Sequence, residues 1–163
     1  MSILAEIEFK SLTVTNPRQL DELLCMIHDE FFELDEVRYR REQGVLDIPY
    51  RRVFHDGPAR TVLQWIIYTV KEKDVIRSRF RIHNVGEFTV QDKARINTYS
   101  FNTLEYDPDT SEITVWCDPE LRLRVRVSEF KIESQDLEVD GKSRISYLFF
   151  VMESYSGKVY DSQ

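Results

Sequence analysis

Arginine alternates with apolar or small residues at a period of two in three places along this chain. They are Arg38-Tyr39-Arg40, Arg77-Ser78-Arg79-Phe80-Arg81-Ile82 and Leu121-Arg122-Leu123-Arg124-Val125-Arg126-Val127. Successive side chains of a β-strand point to opposite faces, so each run sends its arginines one way and its apolar residues to a core. The pattern predicts a largely antiparallel sheet with one wet, arginine-bearing face. One segment departs from it. After Asn16-Pro17, the residues Leu20, Leu23, Leu24 and Ile27 fall at helical spacing on one apolar stripe. Asn16 suits the N-cap, Pro17 the first helical position, Gln19 a capping box, and Asp21 and Glu22 the acid-favouring first turns. These signals predict an amphipathic helix over about 17–29.

Nearly everything else reads as β. Residues 5–14 alternate as a strand, and 37–42 and 45–54 flank Gln43-Gly44 as a hairpin. The stretch His55-Asp56-Gly57-Pro58 reads as a loop, and 62–70, apolar on both faces, as a central strand. Lys71-Glu72-Lys73-Asp74 is then expected to turn the chain into 75–83. Asn84-Val85-Gly86 bends that strand rather than ending it, because Phe88 and Val90 keep the parity of Phe80 and Ile82. Strands 96–106 and 112–117 flank a turn at Asp107-Pro108-Asp109-Thr110. Asp118-Pro119 turns the chain into 121–133, where the apolar parity changes from odd at Leu121, Leu123, Val125 and Val127 to even at Phe130 and Ile132. A one-residue slip exchanges faces, so a β-bulge is predicted near Ser128. Asp140-Gly141 is a strong hairpin signal, joining 137–139 to 144–152. The expected fold is therefore α+β: eight or more mainly antiparallel strands, as a curved sheet or a meander barrel, with one N-terminal helix. With no repeat and no linker, residues 1–153 are expected to form one domain and 154–163 a loose tail.

Charge refines this picture. The net charge is −7 over 163 residues, but it is distributed in blocks. Residues 1–36 hold two basic and nine acidic groups, 37–104 thirteen basic and seven acidic, and 105–120 six acids and no base. An acidic total argues against non-specific nucleic-acid binding, which draws its affinity from neutralising phosphates. The blocks suit contacts between acidic segments and arginine strands, within the chain or across a homo-oligomer interface. The longest apolar run, 145–152, is of strand length and far short of the roughly 20 residues of a membrane helix. The N-terminus meets acid by its sixth residue, unlike a signal peptide. Two cysteines, Cys25 and Cys117, are too few for a disulfide scaffold, so a cytoplasmic location is expected.

The candidate chemistry is sparse. Arg77, Arg79, Arg81 and Arg122, Arg124, Arg126 form the one candidate anion-binding surface, since guanidinium forks grip phosphate and carboxylate. The competing reading is a sheet face on which each arginine meets an acid one strand over. Two exposed like charges about 5 Å apart cost on the order of 1 kcal/mol in water, so neighbouring arginine strands call for compensating acids. A small-molecule pocket is conceivable around His55, Asp56, Asn97, Tyr99, Phe101 and Asn102, where aromatics and hydrogen-bonding groups mix. An edge strand facing water would have the same mixture. Cys25 and His28 stand at i, i+3 without a second half-site, so no metal and no cofactor are expected. The resulting expectation is a non-enzymatic binding or assembly module acting through protein contacts and self-associating. An anion- or nucleotide-binding domain ranks second, and a small enzyme using His55, Asp56 and the 97–103 strand third.

Overall fold

The structure is a computed structural model that describes residues 9–53, 60–65, 68–148, 153–154 and 159–160. The strands, in chain order, are β1 (Ser11–Val14), β2 (Phe31–Glu33), β3 (Arg38–Arg40), β4 (Val45–Val53), β5 (Arg60–Trp65), β6 (Tyr68–Ile82) and β7 (Val85–Asp92). They continue with β8 (Thr98–Asp107), β9 (Glu112–Asp118), β10 (Leu121–Val127), β11 (Ile132–Leu148), β12 (Glu153–Ser154) and β13 (Val159–Tyr160), and the helix α1 is Leu20–Ile27. All belong to one antiparallel sheet, whose main path runs β1-β11-β6-β4-β2-β8-β9-β10-β7 without closing. This is the curved antiparallel sheet with one helix that the alternation predicts. No helix among the described residues is long and apolar enough to cross a membrane.

Two crossings give the sheet its curvature. β6 and β7 are consecutive along the chain, separated by His83 and Asn84 alone, yet β6 lies third on the path and β7 at its far end. β10 and β11 are likewise consecutive in sequence and distant in sheet order. One half of the sheet is thus carried over onto the other, and apolar side chains from both inner faces fill the space between. Backbone bonds tie the crossings together: His83 N–H to Lys131 C=O at 3.0 Å, Ser128 N–H to Asn84 C=O at 3.0 Å and Val85 N–H to Gly44 C=O at 2.8 Å. Gly44 takes a φ of +62°, left-handed backbone that favours glycine, and a β-carbon there would stand in ordinary contact with the Val85 backbone at 3.4 Å.

The inward parities agree across strands. Leu46, Ile48 and Tyr50 of β4, Phe80 and Ile82 of β6, Ile113 and Val115 of β9, and Leu121, Leu123 and Val125 of β10 are all buried. Phe101 sits at an aromatic centre, its ring 4.7 Å from Phe32 and 5.5 Å from both Tyr50 and Phe80. The helix adds Leu20, Leu23 and Ile27 to this core. It is shorter than the expected 17–29: Pro17–Gln19 form a 3₁₀ turn, capped where the Asn16 side chain accepts the Arg18 N–H at 3.0 Å.

Three local expectations are corrected. The run 62–70 is divided between β5 and β6, which pair antiparallel with each other, rather than forming one central strand, and β5 pairs with β6 alone among the described residues. Lys71–Asp74 and Asp140-Gly141 are both extended, lying inside β6 and β11, which pair from Ile132↔Ile82 to Leu148↔Tyr68. The extra residues are absorbed as bulges at Leu137 and Asp140, and Gly141 accepts a φ of 135° beside the second. A long partner strand outweighs a local turn signal. The parity change after Val127 falls at the crossing from β10 to β11. The ladder irregularity lies at Arg126/Val127, where Gly86 of β7 is the surplus residue. Within 154–163, Ser154 ends β12 and β13 pairs Val159–Tyr160 with Lys142–Ser143.

Candidate functional site

The odd-numbered arginines of β6 project from the outer face between β4 and β11. In register, Arg81 faces Asp47 and Glu133, Arg79 faces Pro49 and Gln135, and Arg77 faces Arg51 and Glu138. Arg81 makes a bidentate pair with Asp47, Nε to Oδ1 at 2.5 Å and Nη2 to Oδ2 at 3.0 Å. Arg79 donates to Gln135 at 3.2 Å and lies 3.5 Å from Glu133, and Arg77 meets Glu138 at 2.9 Å. Arg51, opposite Arg77, turns to Asp140 at 3.0 Å. The bulge at Leu137 places Glu138 beside Arg77, so the irregularity of β11 serves the charge pairing.

The second arginine face is built alike. On β10, Arg126 pairs with Glu87 of β7 at 3.0 Å. Arg122 donates to Gln91 from Nε at 2.7 Å and from Nη2, and its guanidinium stacks 4.9 Å above the Trp116 ring. Arg124 is the least compensated: Thr114 and Thr89 flank it in register, and its buried Nε lies 3.8 Å from Glu112 without a hydrogen-bond partner. The acids that answer the arginines come from β4, β7, β9 and β11 rather than from the acidic helix, whose Asp21 and Glu22 stay exposed.

Inside the sheet lies a polar cluster that the alternation alone did not bring out. Arg52 of β4 and Asp136 of β11 are both buried and form a bidentate pair, Nε to Oδ1 at 2.9 Å and Nη2 to Oδ2. Ser78 Oγ donates to Asp136 at 2.6 Å, and the Lys10 N–H donates to it at 2.7 Å. The Asp136 N–H returns a bond to the Lys10 carbonyl at 2.8 Å, so the cluster also anchors the chain ahead of β1. Beside it, the Tyr50 and Ser134 hydroxyls share a 2.7 Å bond. Burial pushes the Asp136 carboxyl up, but the bonds from Arg52, Ser78 and Lys10 more than reverse this and hold it below the usual carboxylate range. Burial raises the Tyr50 phenol to about 12. Part of the signal was present in the sequence: Arg52 and Ser78 occupy even positions beside the apolar Leu46, Ile48, Phe80 and Ile82, whereas the even positions of β11 after Ile132 are mostly polar and gave none.

The expected pocket residues separate. Tyr99 and Phe101 are buried in the core. Asn97 precedes β8 and accepts the Asp35 N–H at 3.0 Å, while Asn102 occupies a bulge between Phe101 and Thr103 and donates to Asp118 at 2.7 Å. His55 and Asp56 lie outside the described residues. β8 is flanked by β9 and β2, and where the three-residue β2 ends, α1 packs against it. On the outer face a shallow cleft of about 20 Å³ lies among Phe31, Glu33, Glu36, Pro49, Arg51 and Arg77, room for roughly one water. Arg38 donates to the Asp35 carbonyl at 2.6 Å, and His28 contacts Asp29 at 3.1 Å. Among the described residues no group of three or more His, Cys, Asp or Glu is placed to hold a metal ion. No protein-family model, curated protein or solved structure matches this chain.

Proposed function

We propose that this chain is a non-enzymatic binding module that works through protein–protein contacts and associates with itself. The observation that carries the reading is the end of the sheet. β7 is eight residues long, terminates the strand order, and is exposed at Gly86, Glu87, Thr89, Val90 and Gln91. A strand with an open edge is a template for pairing with another chain. The arginine faces support the same reading from the other side. Arg77, Arg79, Arg81 and Arg126 meet acids supplied within the chain, and Arg122 meets Gln91, so these five have partners without an external anion. Cys25 and Cys117 are unpaired thiols, which suits a reducing compartment, and we assign the protein to the cytoplasm. Light scattering coupled to size exclusion, at about 50 mM and 500 mM salt, tests the reading over a range that strongly screens exposed charges. A dimer that weakens with salt is expected; a monomer at both salts and at high protein concentration would overturn it.

Arg124 favours a second reading, an anion site on the β10 face. The half-exposed Arg124 guanidinium and its threonine neighbours form a spot where a phosphate oxygen could be received. A thermal-shift titration with pyrophosphate tests it. Stabilisation that Arg124→Glu abolishes would support this reading, and no shift in the parent protein would dismiss it.

A further inference from the structure

Resting on the self-association proposed above, we infer that the interface is β7 itself, paired antiparallel with β7 of a second copy about a twofold axis at Val90. The backbone is the first argument. Lys93 donates its N–H to the Glu120 carbonyl, on the β10 side. Alternation in an antiparallel ladder then turns the N–H and C=O groups of Phe88, Val90 and Asp92 to the other side, where no strand pairs with β7 among the described residues. The strand also lacks the usual guards of an open edge: between Val85 and Asp92 there is no proline and no lysine, and its one irregularity is at Gly86.

Charge selects the occupant and the register. With the axis at Val90, Glu87, one of whose carboxylate oxygens holds Arg126 at 3.0 Å, stands opposite the partner's Lys93, the residue just past β7, on both sides, and Thr89 stands opposite Gln91. Val90, 41% exposed, meets its own copy. Moving the axis to Thr89 opposes Glu87 to Gln91 and forfeits the ion pairs. Moving it to Gln91 would need Arg95 in extended backbone, whereas Arg95 is left-handed at φ 55°. A twofold contact of this kind is self-complementary and closes at the dimer. Phe88 is engaged ring to ring with Tyr39 at 5.9 Å, a contact made by its side chain.

The test uses the full chain and three variants in sedimentation velocity across a concentration series. Glu87→Lys and Lys93→Glu each place like charges opposite one another in their own homodimers, so each alone should dimerise at least about tenfold more weakly than the parent. Mixed in equal amounts they restore opposite charges at both ends, and the dimer should return. Val90→Pro, which removes an N–H on the free side only, should be monomeric, with circular dichroism showing that the sheet is intact. A monomeric parent would overturn the self-association reading itself and leave the edge to a strand of another protein. A dimeric parent whose variants all dimerise unmixed would place the interface elsewhere and overturn the β7 assignment alone. Weakened variants that stay monomeric when mixed would overturn the Val90 register.

Discussion

Asp136 is the residue on which most of the interior polarity converges, and its energetics can be signed. Removing one partner of a buried pair leaves the other charge uncompensated, at a cost of about 3–5 kcal/mol. Asp136→Asn, which strands Arg52, should lower the unfolding free energy obtained from urea titration by an amount in that range. The pH dependence follows from the direction of the shift. The folded carboxyl titrates below its unfolded value of about 3.9, so its contribution is complete above that pH and is lost as pH falls through the folded value. The gap in urea midpoint between parent and Asp136→Asn should therefore be constant near neutrality and close under acid. At the same scale the two thiols differ. Burial, helped by Asp118, pushes Cys117 to about 12, whereas Cys25 is exposed. A thiol-specific reagent should titrate one cysteine in the native protein and two in denaturant.

At the scale of elements, the long β6–β11 ladder is what overrode local turn chemistry. Asp140-Gly141 has the composition of a hairpin turn, yet β11 runs through it because a continuous partner lies alongside. The bulges record the compromise. Asp136 faces Ser78 and Glu138 faces Arg77, so Leu137 is the extra residue, 40% exposed. Deleting Leu137 should regularise the ladder and keep Arg77 opposite Glu138. Deleting Gln135 from the regular stretch would exchange inner and outer faces for the residues beyond it. The thermal midpoint should fall far more for the second deletion, and equal losses would show that the bulge at Leu137 is needed for the fold. The helix obeyed its sequence more closely. Leu20, Leu23 and Ile27 are buried as the spacing required, and the first turn tightened to 3₁₀.

For the whole molecule, the decisive feature is that the sheet curls without closing. The two crossings carry β7 and β10 onto the inner face of the other half, and the path still ends at β7. Amide exchange should reflect this. The core amides of β9 and β10, paired on both sides, should exchange most slowly. Those of Phe88, Val90 and Asp92 should exchange quickly in dilute solution and slow as concentration rises. Concentration-independent exchange at these three positions would count against pairing through β7.

The sequence by itself determined which face turns inward in β3, the 77–82 part of β6 and β10, because their strict period of two puts arginines on one side and apolar or small residues on the other. It also determined the helix and the mainly antiparallel class. What it could not carry was partnership. Whether Arg81 meets Asp47 or a ligand depends on strand order, which no alternation encodes. The same holds for Arg52 and Asp136, 84 residues apart in sequence, which only the adjacency of β4, β6 and β11 brings into contact. The mixed polarity of 97–102 was legible as a pattern but not as a place, because packing buries Tyr99 and Phe101 and leaves Asn97 and Asn102 to bond neighbouring loops and strands. Local side-chain chemistry sets parity and propensity; long-range pairing sets neighbours, and only the folded sheet supplies those.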